Sequence, residues 1–518
     1  MKFRGMQRAL WTALALLSVT GLAACGGGTM TAGGGSGGTG VGPVSGFGSV
    51  IVNGVKYNVD NTAFVDAHGR TLGNLAIGMV VKVTASSIDD VPASPTGVAT
   101  KIEVQRLADG PMDNNSVSID NNSLRVMGQT VFINLSTVFD NVADLFAIDN
   151  LVRQGKRPEI EVHGSTDDTG FLRASFVHLW SDNLVAGREV QIKGTVANLN
   201  KTGKTFTIGS LLQKVDYSPA ASVPAGLDNG VFVEVKGTYR TSDNTILAGS
   251  IQVEDPASGQ NPGDLAKAEG YVNRVLADLG TTKRFELIAP DGLQVVNWST
   301  GTTAFRDGAA SDVAPGAKVQ VEGSRNQDKT LAAKRISFRK PTNIRIESTV
   351  TAKTSSSITV LGRTVTVNLL TSYKDGTGTF SGAFGLGNIN VNNTVRVDAF
   401  LDSTSSPGLP PKIVASRIEL QDLTPTPFDR HILQGIVDAK NLPASGFLRI
   451  LGVDVLTVAG TTEFLQVDGT PFPGVGIVQQ VNFFTAVTEG VTVVKARGTY
   501  SASTMTADEV EIEAASEK

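Results

Sequence analysis

Polar and apolar residues alternate in short runs along the chain, and the runs return in the same order six times. In the fourth and clearest copy, Gly316-Ala-Lys318-Val319-Gln320-Val321-Glu322-Gly323 puts Val319 and Val321 on one side and Lys318, Gln320 and Glu322 on the other. That is the period-two signature of a strand with one buried and one wet face. A polar loop follows Gly323, and Ala333 to Phe338 read as the returning strand. Matching hairpins start near residues 78, 158, 230, 394 and 490. Each returning strand carries Ala-x-x-Ile or Ala-x-x-Val, at Ala99–Ile102, Ala174–Val177, Ala248–Ile251, Ala333–Ile336, Ala415–Ile418 and Ala507–Val510. The chain therefore reads as an array, and a cluster of residues points to function only where it departs from what the repeat explains.

Upstream of each hairpin lies a second pattern. A Gly-x-Val start (Gly194, Gly270 and Gly435 lead the clearest examples) opens a strand, a tight turn and another strand, after which comes Thr-x-aromatic: Thr62 with Phe64, Thr137 with Phe139, Thr303 with Phe305, Thr371 with Tyr373 and Thr462 with Phe464. The third copy lacks this element. Five strands per copy are expected, with the Thr closing a turn and the ring plugging the base of a small core. Five short strands in about 70 residues predict an all-β chain of six small five-stranded OB-like barrels, since closure removes exposed edges. A six-bladed propeller is the alternative, although a blade normally takes about 40–50 residues. The expected divisions are a signal segment at 1–24, a tether at 25–42, and β repeats at 43–107, 108–182, 183–256, 264–340, 341–422 and 430–513. Pro-containing joints at 255–262 and 423–427 suit independent domains strung as a beaded rod.

Composition adds a turn-rich β character, with 57 Gly, 20 Pro and 18% charged residues in 518. A net charge of −4 supplies no general attraction to nucleic acid, so no nucleic-acid partner is expected. At the N-terminus, Lys2, Arg4 and Arg8 precede an apolar run, and Leu22-Ala23-Ala24-Cys25 follows. This start resembles a bacterial lipoprotein signal and matches its lipobox. The resemblance implies cleavage before Cys25, lipid on that residue as the membrane partner, and, with no Asp after it, the outer membrane. Cys25 is the sole cysteine, so no disulfide forms. The Gly-rich stretch 26–42 has an expected mean reach of about 20–25 Å.

The ordered set of Gly-x-Val, Thr-x-aromatic, the Gly-led Val-x-Val strand and Ala-x-x-Ile resembles the bacterial domain-of-unknown-function 5666 family, DUF5666. Its members are exported proteins with tandem copies and often a lipobox, and no activity comes with the resemblance. The fifth copy departs most, with Asn393 before its strand and no Gly after it.

Candidate chemistry is sparse. His163 and His178 sit on neighbouring predicted strands with Glu161 nearby, but a metal site needs three or four converging ligands, and His68 and His431 lie in other copies. Lys334, Arg335, Arg339, Lys340 and Arg345 form a basic cluster at the joint of copies four and five, and OB-type barrels bind polymers through such surfaces beside aromatic rings. A solvated joint is the plainer reading. Asp89-Asp90 and Asp167-Asp168 read as solvated turns. Ser337-Phe-Arg-Lys340 spells a catalytic Ser-x-x-Lys but falls on a predicted strand, without the helix start that chemistry needs. The expectation is a non-enzymatic envelope lipoprotein without cofactor, acting as spacer, scaffold or adhesion module, with an envelope protein as partner. The alternative is a binder of polysaccharide or another envelope polymer, and an enzyme comes third.

Overall fold

The computed structural model describes residues 37–47, 49–60, 62, 64–65, 75–90, 95–380, 384–402 and 411–513. Cys25, the tether up to residue 36, and His68 lie outside the described residues.

Each repeat closes on itself in one strand order. In the fourth barrel the first strand, Leu265–Leu279, pairs antiparallel with the second, Thr282–Ala289, and with the fifth, Lys318–Arg325. The second pairs with the third, Gly292–Trp298, which runs parallel to the sixth, Leu331–Phe338. The sixth returns antiparallel to the fifth and completes the barrel. A three-residue fourth strand, Ala304–Arg306, adds parallel to the sixth. Thus five strands close the barrel and a short extra one marks its base. The same circuit occurs at residues 38–104, 189–253, 344–422 and 431–512, and at 108–181 with the first and second strands joined only by the Met112–Val126 bridge; barrel 3 lacks the short strand. This connectivity is that of OB-like barrels, not of propeller blades.

Two helices stand where only loops were expected: α1 (Leu145–Arg153) in barrel 2 and α2 (Ile477–Ala486) in barrel 6. In α1, Asp144 caps the first turn by accepting from the Ala147 N–H at 2.9 Å, and Leu145 and Ile148 are buried.

The two halves of the sequence motif are joined by one hydrogen bond. The Thr hydroxyl donates to the carbonyl of the Ala in Ala-x-x-Ile: Thr62 to Ala99, Thr137 to Ala174 and Thr371 to Ala415 at 2.8 Å, Thr303 to Ala333 at 2.9 Å, and Thr462 to Ala507 at 2.7 Å. In the last four of these copies other than barrel 1, the same oxygen accepts a backbone N–H from the turn before it, as from Asn368 to Thr371 at 3.0 Å. Across the ladder the Ala faces a bulge residue that is small for a reason, as Gly323 faces Ala333, and a Cβ on Gly323 would fall 1.9 Å from the Ala332 carbonyl. Barrels 1 and 5 place Ala85 and Ala399 there. The aromatic two residues after the Thr is fully buried only as Phe464; Phe64, Phe139, Phe305 and Tyr373 are half-buried against their cores.

The barrels are not independent beads. First strands pair between copies, so barrels 1 and 4, 2 and 3, and 5 and 6 share continuous sheets of twelve, eleven and twelve strands. Val41 lies beside Ala268 in the parallel 1–4 seam, Ile192 beside Ala108 in the 2–3 seam, and Ile346 beside Leu433 in the 5–6 seam. The buried residues of barrels 5 and 6 merge into one core, as do those of 2 and 3. An open first-strand edge is a liability that another copy removes. Replacing Thr371 with Val should leave the Ala415 carbonyl and the Asn368 N–H without partners. We expect chemical denaturation to show a loss of about 1–3 kcal/mol, and Thr371→Ser to retain most of the stability.

Candidate functional site

The polar faces of the strands are largely not wet. Gln320 and Glu322 are buried, because barrel 1 covers them: Gln320 Nε2 donates to the Asn53 carbonyl at 3.2 Å. Removing charge from water is tolerated only where opposite charge and hydrogen bonds replace the solvent, and the seams supply both. Lys267 lies 3.0 Å from Glu322 and 2.9 Å from Asp90 of barrel 1. Lys82 of barrel 1 reaches Asp291 of barrel 4 at 3.0 Å. Lys193 has no exposed side-chain surface and meets Gln105 at 2.7 Å, Glu254 at 3.0 Å and Glu234 at 3.4 Å. Burial opposes its charge, but the two carboxylates outweigh that and raise its pKa.

The sequence candidates fall into these seams. His163 is fully buried: the Val80 N–H of barrel 1 donates to Nδ1 at 3.2 Å, so Nε2 carries the proton given to Glu161 Oε1 at 2.6 Å. Glu161 also meets Arg106 at 2.9 Å and Trp180 Nε1 at 3.2 Å. Burial works against its charge, yet the His163 bond and the Arg106 guanidinium hold its pKa down at about 2. His178 stands opposite Glu161 on the next strand, but its Nδ1 is engaged with Asp140 at 2.7 Å. The two histidines do not converge. Among the described residues no group of three or more His, Cys, Asp or Glu is arranged to hold a metal ion.

The basic joint is divided among acidic partners. Lys334 pairs with Asp90 at 3.2 Å, Arg335 with Glu322 at 2.9 Å, and Arg339 with Glu269 at 2.6 Å. Lys340 lines a cavity of ≈360 Å³ where barrels 1, 2, 4 and 5 meet. Only Lys334 of the three paired cations is mostly exposed, so the joint is an ion-pair seam more than a solvated surface. Nor is Asp167 a solvated turn residue: it is buried, accepts from the Thr169 and Phe171 N–H groups at 2.9 Å, and pairs with Arg173 at 2.8 Å.

Sequence reasoning missed the densest charge cluster. Asp398, fully buried in barrel 5, receives Arg417 at 2.7 Å, Arg396 at 3.2 Å and Arg345 at 3.4 Å. Arg417 also donates to the Leu135 and Ser136 carbonyls of barrel 2 at 3.2 Å. Burial pushes against its ionisation, but the three guanidiniums keep the Asp398 carboxyl at about 2. Beside this cluster a groove of ≈690 Å³ opens between barrels 2, 5 and 6. The available signal was Asp398 itself, an acid at a strand position just before the small residue of the bulge.

The DUF5666 profile, described as a domain of unknown function, matches residues 41–103, 116–178, 193–252, 269–337 and 347–419. The chain belongs to the DUF5666 family. The sixth DUF5666-like barrel lies beyond those matches yet has the same strand circuit. No curated protein matches the chain. Similar solved structures include Drosophila Unr CSD456, at 12% identity and a TM-score of 0.16, covering 45% of this chain and 89% of that one. Another is a multidomain protein with nucleic acid binding domains from Streptococcus pneumoniae, at 10% identity and a TM-score of 0.13, covering 46% and 73%. At those TM-scores neither bears on what the DUF5666 barrels bind.

Asp398→Asn should leave the guanidiniums of Arg345, Arg396 and the buried Arg417 short of their counter-charge. We expect a loss of about 3–5 kcal/mol in urea unfolding. Because the folded pKa values of Asp398 and Glu161 lie below their ordinary values, the stability they contribute is present above about pH 5 and is lost as pH falls toward 2. Urea midpoints measured from pH 7 to pH 2.5 should fall through that window.

Proposed function

We propose that this protein is a non-enzymatic envelope lipoprotein, carried on a membrane by lipid at Cys25, whose six barrels act together as a scaffold. The observation that carries the scaffold reading is the use made of the hairpin tips between second and third strands. Every barrel's tip abuts another copy: Gly54 lies against Leu369, Gly128 against Gln213, Gly209 against Gln129, Gly292 against Glu254, Gly362 against Tyr500, and Gly452 against Arg363. Leu361 and Gly362 adopt φ of 47° and 67°, the paired positive values of a tight hairpin turn, so the tip is short enough to dock. Surface that an OB-like barrel has available for ligands is thereby committed to assembly. The seam charges are partnered in pairs and small clusters, an arrangement suited to holding barrels in register. The lipobox residues support the anchor, and an outer-membrane location follows from the same signal. A spacer or adhesion role is compatible with the same architecture.

The test is metabolic labelling with palmitate in bacterial cells, with envelope fractionation. Wild-type protein should be labelled and recovered with membranes, and Cys25→Ala should carry no label. An unlabelled wild-type protein would remove the anchor. Incubation of purified protein with isolated envelope polysaccharide and peptidoglycan should leave both intact, and chain cleavage would overturn the non-enzymatic part.

A further inference from the structure

The groove between barrels 2, 5 and 6 departs from what the repeat explains. Its volume of ≈690 Å³ falls in the range of sites that take organic ligands. Part of its wall is α1, which places Phe146 there with 45% of its surface exposed. Another part is the 5–6 seam, where Arg345 and Gln434 are direct neighbours across the paired first strands.

Three properties of the wall specify a ligand. Arg345, Arg396 and Arg417 gather around Asp398, with Glu347 within 4.0 Å of Arg345 and Arg396. Arg345 spends its Nε on Asp398 at 3.4 Å, and among the described residues its two Nη groups have no hydrogen-bond partner. That fork suits one carboxylate. Next, Gln434 Oε1 and Asn343 Oδ1 are buried without a hydrogen-bond partner, a costly condition that a donor would relieve. Turning either amide over would orphan an N–H instead, so a hydroxyl, which both donates and accepts, fits either orientation. Finally, Phe146 offers an apolar ring to the C–H face of a pyranose.

We propose that this groove binds an acidic glycan: a uronic acid residue within a polysaccharide, its carboxylate on Arg345, its hydroxyls at Gln434 and Asn343 after a rotation of the amides, and its ring on Phe146. A bare inorganic anion satisfies Arg345 and neither of the other two features. A neutral sugar leaves the Arg345 Nη groups unpaired. The site goes beyond the scaffold reading and does not depend on the lipid anchor.

Full-length protein in detergent is titrated calorimetrically with tetragalacturonate and with an alginate tetramer. Binding of at least one is expected, with a weakening of tenfold or more in both Phe146→Ala and Arg345→Gln. Maltotetraose should bind at least tenfold more weakly, and sodium sulfate at equal concentration should not displace the uronate. Phe146 is exposed, so its variant keeps the fold even if Arg345→Gln loosens barrel 5. No binding of either uronate, unchanged affinity in Phe146→Ala, equal binding of maltotetraose, or displacement by sulfate would each overturn the proposal.

Discussion

Charged side chains on the outside of a barrel leave water only where opposite charge meets them, from a neighbouring strand of the same barrel, from a joint or from another barrel, and this matching shapes how the six copies sit together. Lys193, Glu161, Asp291 and Asp398 are all on outer or joint positions, all buried, and each faces an ion of the other sign within 3.4 Å. Such pairs are weak evidence for added stability, since desolvation consumes most of the attraction. They are strong evidence for specificity, because a barrel shifted by one strand position would bury an unmatched charge. Ion pairs across the seam thus hold 1 against 4, while first-strand pairing joins 2 with 3 and 5 with 6.

Inside each barrel a different economy operates, and it is the same six times. A bulge at a small residue bends the fifth strand opposite an Ala of the sixth, and in five copies a Thr hydroxyl ties the short strand to that Ala carbonyl. Barrel 3, without the Thr and without the short strand, shows that the closed circuit does not require the tie. Repetition therefore accounts for the interiors, while the differences between copies are spent on the outer faces.

That division explains what could be read from the sequence. The interior was legible because alternation, small residues at bulges and the Thr-to-Ala spacing are local consequences of strand geometry. The outer faces were misread as wet because Lys318, Gln320 and Glu322 look the same to a single-copy pattern whether water or barrel 1 lies above them. Helix α1 is only nine residues long; its signal was the Asp144 cap with Leu145 and Ile148 spaced for one face, set in a region otherwise reading as loop. His163 looked like a ligand candidate and is instead a connector between Glu161 and the Val80 backbone. The Asp398 cluster was invisible because Arg345, Arg396 and Arg417 become neighbours only when three strands of barrel 5 are laid side by side.

The central claim is that the copies fold as pairs sharing an edge, and in 2–3 and 5–6 a core as well, not as separate beads. Its most direct test compares residues 341–513, which hold barrels 5 and 6, with residues 430–513 alone, by urea unfolding followed through near-ultraviolet circular dichroism. The pair should unfold in one cooperative transition, and barrel 6 alone should lack one. Two separate transitions in the pair, with barrel 6 alone keeping its own midpoint, would contradict the account.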